Sequence, residues 1–563
     1  MKRVITWILL IAYVLSGLAA AVLAETPKSG AIKITPPAPK FTDAERQGEL
    51  ARRRAAVASK MNDGSILILF SAEPKLYTND VDYVYRQENN LFYLTGLKQN
   101  GATLIITKTE SNVSETLFIP KRVPLREAWE GSMYSREQAL RISGINKLID
   151  ASERDAFFQS LKDKKAFSSI DGSTSIAAAA GTIYLLLPAS ADDSNGKREF
   201  RVESEFGKEL TGYKIENAQP IFAELRHIKS PYEVKMLQHA IDITTEAQMR
   251  SMAMVGRAKM EYEVHAEVEY TFRRRNADFW GYPSIVGCGV NATTLHYVES
   301  QSEVKKGDLL LMDVGAEYDH YTADVTRTYP VNGKFSKEQA EIYQIVYDAQ
   351  EAVGKATKLG VTYGELQATA NNVLEAGLLR LGLIENADGK QFKLFAIHGL
   401  GHWLGMNVHD VGDYNAPLKP GMVFTNEPGI YFREDALNYL PDTPESKAFL
   451  AKVGPVYEKY KGIGVRIEDD LLVTSNGVEW MTKALPRSIA DIEAFMAKAP
   501  KKFAYTAAAL PNIFINQTFA GNSSAIFAPF RQPAGVSIRS GFFRSGTKMV
   551  NSKLDHADHA YSD

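Results

Sequence analysis

The chain is nearly free of cysteine. Cys288 is the only one in 563 residues, so no internal disulfide can form, and stability must come from apolar cores and any ions the chain binds. A surplus of charge of one sign is missing too. The 65 Lys and Arg stand against 67 Asp and Glu, which leaves no basis for a nucleic-acid or other polyanionic partner. No internal repeat of short period is present. What remains is an ordinary globular composition, 45% hydrophobic and 23% charged, in a chain too long for one compact core.

The N-terminus, MKRVITWILLIAYVLSGLAAAVLAETPKSG, has a basic head (Lys2, Arg3), an apolar stretch and small residues, with Val22 and Ala24 at the −3 and −1 positions of a cleavage site. It reads as a secretory signal peptide over 1–24. Export to the periplasm or beyond is expected, with no stable membrane partner after cleavage; an uncleaved anchor is the alternative. No cysteine stands near the cleavage site to carry a lipid. Residues 25–43 are rich in Pro and Lys and read as a flexible lead. Asn112-Val-Ser and Asn291-Ala-Thr match the glycosylation sequon, a match common by chance.

From 44 to 215 a charged, Ala-rich helix precedes short β-rich runs, SILILFSA, LFYLTGL, GATLIITK and ETLFIP, spaced as in an α/β domain. Ser230-Pro231-Tyr232-Glu233 carries the marks of a helix start: cap, proline in the first turn, acid near the N-terminus. From 216 to 495, helices alternate with strands such as SIVGCGV, DLLLMDVGAEY, MVFTNEPGIY and VRIEDDLLVT. Short turns between them favour antiparallel pairing with helices on one face. Residues 496–563 lack periodicity and read as a loosely ordered tail, and its DHADH tract as a solvated cluster. The fold class is α/β (α+β).

The chemistry starts from misplaced charge. LLLMDVGAEYDHYTADVTRTYPV sets Asp313 in an apolar strand and Asp324 eleven residues on; Glu427 and Glu468 stand in MVFTNEPGIY and VRIEDDLLVT. An ionised carboxylate in such a setting costs several kcal/mol unless compensated. Arg327 and Arg466 cannot neutralise four acids, whereas two divalent cations can. Oxygen-rich ligation with one nitrogen suits Mn²⁺ or a similar ion, with Co²⁺ and Zn²⁺ as alternatives. Two such ions about 3.5–4 Å apart form a hydrolytic clamp. AIHGLGHWLGMNVHDVGDY offers His398, His402 and His409. Its glycines make it a poor helix, and no Glu follows His398, so the H-E-x-x-H pattern fails. Cys288, in VGCGV, reads as a small buried residue rather than a nucleophile.

Taken together, these segments closely resemble the aminopeptidase P and prolidase branch of the pita-bread metallopeptidases. By that resemblance Asp313, Asp324, His402, Glu427 and Glu468 are the metal ligands. His296 (NATTLHY), His398 and His409 match the further active-site histidines, Arg466 the arginine beside the last ligand, and Tyr282 (GYPSIVG) a tyrosine near the metals. DVDYVYRQENNLFYLTGL and REAWEGSMYS resemble the N-terminal domain of that family, and REDALNYLPDTPESKAFLAKVGPVYEKY resembles an insertion. The implied architecture is an aminopeptidase P-like N-terminal domain before a catalytic domain whose curved antiparallel sheet is covered by helices. The implied activity is hydrolysis between an N-terminal residue and a following proline, in peptide substrates. Glu427 would accept the proton of the attacking water, and His409 or His296 would stabilise the oxyanion. A homodimer or homotetramer is implied as well. A dipeptidase, a methionine aminopeptidase (disfavoured by the large N-terminal domain) and a metal-free binding protein on the same fold are the competing readings.

Overall fold

A computed structural model describes residues 31–178 and 181–500. The expected signal peptide and nearly all of the expected tail, with its DHADH tract, lie outside the described residues. Of the Pro-rich lead, residues 31–42 carry no helix or strand. Thr35 is nonetheless buried, its amide and hydroxyl both 2.7 Å from Glu246 Oε2.

The N-terminal half opens with α1 (Asp43–Lys60), started by a Thr42/Glu45 capping box. Its mixed sheet contains β1 (Ser65–Phe70), β2 (Thr103–Lys108), β3 (Val113–Ile119), β4 (Lys147–Asp150), β5 (Thr182–Leu185) and β6 (Lys214–Asn217), in the spatial order β6-β5-β1-β2-β3-β4. β1 and β2 pair antiparallel (Leu67 opposite Ile106), while β5 runs parallel to β1 and β6 to β5. β6 therefore carries the sheet past the expected boundary at 215/216. LFYLTGL, expected as a β-rich run, is helical: Asn89–Thr95 forms a short helix that Glu88 caps at Leu91 N, with Gly96 left-handed at its end. The run is buried on every side, so its apolar residues do not reveal a period, and the caps decide the outcome.

The C-terminal half begins with α2 (Pro231–Met254), which starts at Ser230-Pro231 as expected and is closed by a Ser230/Glu233 capping box, followed by α3 (Glu261–Arg274). Antiparallel strands follow. β7 (Ile285–Cys288) pairs with β8 (Leu309–Val314), and β8 with β9 (Val325–Pro330), placing Asp313 between Ile285 and Thr326. Helices α4 (Lys337–Ala356) and α5 (Tyr363–Leu381) come next, each with its own capping box. Then β10 (Val423–Asn426) pairs with β13 (Asp469–Thr474), and β11 (Gly429–Tyr431) with β12 (Gly464–Arg466). Residues Pro444–Tyr457 of the expected insertion form a helix anchored by Phe449, Val453 and Tyr457.

Strand alternation makes one face apolar and the other chemical. Met312 and Val314 pack with Ile243 and Ala247 of α2, while Asp313 points the opposite way. Gln248 of α2 donates to the Met312 and Val325 carbonyls, fixing the helix to the sheet. A second core joins the halves: Leu69, Leu91 and Leu104 share a cluster with Tyr321, Leu404, Met406 and Val423. A last helix, Ile489–Lys498, closes the C-terminal edge and is buried through Ile492 and Phe495. No helix among the described residues is long and apolar enough to cross a membrane.

Candidate active site

Three of the four acids do not sit inside strands, as their apolar surroundings suggested. Asp313 is within β8. Asp324 immediately precedes β9, Glu427 lies between β10 and β11, and Glu468 between β12 and β13. Each glutamate stands where its strand leaves the ladder, because its amide is bonded elsewhere. Glu427 N–H donates to Leu400 O at 2.9 Å, and Glu468 N–H to Thr326 O at 3.1 Å. These breaks aim the carboxylates into a cavity of about 520 Å³.

All ten residues proposed from the sequence line that cavity: Tyr282, His296, Asp313, Asp324, His398, His402, His409, Glu427, Arg466 and Glu468. At its floor, His402 Nε2 lies 3.2 Å from Asp324 Oδ2 and 3.5 Å from Glu427 Oε1. One donor atom each from Asp324, His402 and Glu468 falls within 4.8 Å of the other two. The Tyr282 hydroxyl is 2.5 Å from both Asp313 Oδ1 and Asp324 Oδ1, tying the two aspartates together.

Cationic compensation is uneven. Arg466 Nη2 pairs with Asp313 Oδ2 at 2.5 Å. Arg327 turns away and pairs with Asp469 at 2.6 Å. Among the described residues no lysine or arginine forms an ion pair with Asp324, Glu427 or Glu468, and Glu468 Oε1 is buried without a hydrogen-bond partner. Burial, then repulsion from neighbouring acids, pushes these three carboxyls well above the usual carboxylate range. The donor set of four carboxylates and one imidazole, with an orphaned oxygen among them, fits divalent cations.

The histidine network assigns a tautomer. His398 Nδ1 is 2.8 Å from Gly399 O, an acceptor, so Nδ1 carries the proton. Nε2 then accepts from the Tyr431 hydroxyl at 2.8 Å, and that oxygen accepts from Arg466 Nη1 at 2.7 Å. Burial and Arg466 lower the His398 pKa to about 4; burial and His402 lower that of His409 to about 4. Both rings are neutral at pH 7.

Two glycines permit this crowding. Gly401 has φ +148°, and a Cβ there would lie 2.5 Å from Thr425 O. A Cβ on Gly429 would lie 2.5 Å from the Tyr431 hydroxyl and 2.9 Å from His398 Nε2. The glycine-rich stretch is not helical, as expected. Cys288 is buried and its thiol is pushed up to about 12, as suits a packing residue.

Sequence reasoning missed several supports. Thr326 Oγ1 donates to Glu468 Oε2 at 2.7 Å, and Thr425 Oγ1 to Glu427 Oε1 at 3.2 Å. Gln350 of α4 donates at 3.0 Å to Asn426 O and to Ile467 O, the carbonyls immediately before the two glutamates. Only Tyr431 and the threonines carried a signal, since each stands inside a phrase that holds a proposed ligand.

An acid cluster with one imidazole at the mouth of a two-stranded break, backed by helices, defines a metal-dependent hydrolase site. Residues 235–475 match the model for metallopeptidase family M24, and residues 50–168 that for the aminopeptidase P N-terminal domain. The chain is 35% identical over 460 residues to the Xaa-Pro aminopeptidase of Haemophilus influenzae, covering 80% of this chain and 97% of that one. It is 32% identical over 465 residues to the Escherichia coli Xaa-Pro aminopeptidase, covering 81% and 98%. Among solved structures, Pseudomonas aeruginosa aminopeptidase PepP superposes with TM-score 0.66 at 34% identity, covering 80% of this chain and 98% of that one. A zinc-substituted E. coli aminopeptidase P with product gives TM-score 0.67 at 31% identity, covering 81% and 99%. The chain belongs to the Xaa-Pro aminopeptidase branch of metallopeptidase family M24, with the pita-bread catalytic fold of that family. It is an enzyme, a metallopeptidase.

Proposed function

We propose that this chain is an exported aminopeptidase that uses two divalent cations, most naturally Mn²⁺, to cut the bond between an N-terminal residue and a following proline. The observation that carries the reading is the set of three uncompensated carboxylates beside Asp313 and His402. Asp313, Asp324, His402, Glu427 and Glu468 would hold the cations. Bound there, the pair supplies Lewis acidity toward the scissile carbonyl and toward water. The proline preference follows the Haemophilus influenzae and Escherichia coli Xaa-Pro aminopeptidases that this chain resembles, and the Lys2-Arg3 head with its apolar run supports the export reading.

The chain's own residues then divide the work. Glu427 faces the cavity with one oxygen held by Thr425 and the other 3.8 Å from His398 Nδ1. It is placed to take a proton from attacking water and return it to the leaving nitrogen. His409 and His296 line the cavity and are solvent-accessible. As a neutral imidazole, His409 keeps one ring N–H, which it donates as a hydrogen bond to the developing oxyanion. Arg466 and Tyr431 hold His398 from behind, and Tyr282 holds the two aspartates in register.

The test is an assay of purified chain on Xaa-Pro dipeptides and on longer Xaa-Pro peptides, with added Mn²⁺ or with chelator. Release of the N-terminal residue from the longer peptides, lost with chelator and restored by Mn²⁺, is expected. Cleavage of dipeptides alone would make it a dipeptidase, and chelator-insensitive cleavage would overturn the metal reading.

A further inference from the structure

The motif Arg86-Gln-Glu-Asn-Asn90 lies in the N-terminal domain and none of the chemistry above uses it. The structure places it against the loop that carries His409. Arg86 Nη2 donates to Met406 O at 2.8 Å, while its Nε is held by Glu317 at 2.8 and 3.1 Å. Asn89 Nδ2 donates to Asn407 Oδ1 at 2.7 Å, and its own Oδ1 accepts from Arg86 Nη1 at 2.9 Å. On the far side of the loop, Asn90 Oδ1 accepts from Arg226 Nη1 at 2.9 Å, and Arg226 Nη2 pairs with Asp410 Oδ1 at 2.6 Å. Lys229 Nζ stands 3.4 Å from the other Asp410 oxygen. Asp410 and both cations are buried, so this anchor resists displacement.

His409 sits between these anchors. Its ring packs on His402 with centroids 4.1 Å apart. Among the described residues no side-chain hydrogen bond to the His409 ring is formed, so the backbone of 406–410 sets where the imidazole points. We propose that Arg86, Asn89 and Asn90 are positioning residues: the N-terminal domain holds the His409 loop in catalytic register from outside the cavity. The proposal rests on the reading of His409 as a group that acts on the scissile carbonyl. A misplacement of about 1 Å in such a group costs on the order of a hundredfold in rate.

A double-mutant cycle tests it. Turnover of a Mn²⁺-saturated enzyme on a Xaa-Pro tripeptide is measured for Arg86→Ala, Asn89→Ala, His409→Ala and the two double variants, with bound Mn²⁺ quantified in each. The clamp predicts that Arg86→Ala lowers kcat about tenfold to a hundredfold, and Asn89→Ala less, with Mn²⁺ content unchanged. In the His409→Ala background each should cost less than about twofold, because nothing is left to misplace. Equal losses in both backgrounds, a change in KM alone or no loss at all would overturn the inference. If Arg86→Ala does not melt cooperatively, Asn89→Ala, at an exposed contact, decides by the same criterion. Full turnover in His409→Ala itself would instead remove the underlying reading of the site, and this inference with it.

Discussion

Stripping the chain of cations and titrating Mn²⁺ back at pH 7 should expel protons. Carboxyls with ordinary values of 3.8 and 4.5 are ionised at that pH and would release none. Asp324, Glu427 and Glu468 are held well above that range by burial and by one another, so without cations they retain protons that a metal must displace. The three titrate as a set rather than singly. Each proton displaced makes affinity rise about tenfold per pH unit. With one to three available, affinity between pH 6 and 7 should climb by about tenfold to a thousandfold. Calorimetric titration in two buffers of different ionisation enthalpy counts the protons directly. A count of zero, with affinity independent of pH, would refute the reasoning. Without cations the fold keeps protons that the unfolded chain loses near pH 4, so stability falls as pH rises from there toward the raised folded-state values. The loss is about 1.4 kcal/mol per pH unit for each retained proton, and saturating Mn²⁺ removes that slope.

Other outcomes follow from individual residues. Asp324→Ala should lose bound metal and activity together, whereas His409→Ala should keep its metal and lose about a hundredfold in turnover; elemental analysis beside the assay separates them. Gln350→Leu frees the carbonyls before both glutamates and should weaken Mn²⁺ binding about tenfold to a hundredfold, read by chelator competition. Glu203 is buried in the N-terminal domain and burial raises its pKa to about 7. Because the folded value is above the unfolded one, its cost is absent below pH 4.5 and grows as pH rises to about 7. Glu203→Gln should therefore stabilise by about 3 kcal/mol at pH 8 and by nothing near pH 4, measured by urea denaturation.

The acids were legible because an acid among apolar neighbours has few low-cost explanations. Asp313 in LLLMDVG and Glu468 in VRIEDD announce themselves by context alone. That the two glutamates stand at strand breaks was not legible, since the breaks depend on Leu400 and Thr326, which accept from the Glu427 and Glu468 amides across the fold. Gln350 was invisible for a related reason: a glutamine on a helix looks the same whether it faces water or two buried carbonyls. In the N-terminal half, SILILFSA and GATLIITK read correctly as strands, being short, apolar and rich in Ile and Thr. LFYLTGL misled because a fully buried run loses its period, and the deciding caps, Glu88 and Gly96, lie at its ends. β6, with sequence KIEN, is polar and pairs only through distant β5, so no local pattern could place it.

The central claim is that the acids of the catalytic half gather around divalent cations. Crystals of Mn²⁺-loaded chain, measured at the manganese absorption edge, test it most directly. Two anomalous peaks are predicted, enclosed by Asp313, Asp324, His402, Glu427 and Glu468. Absence of anomalous density there, with each of those carboxylates paired to a lysine or arginine instead, would contradict it.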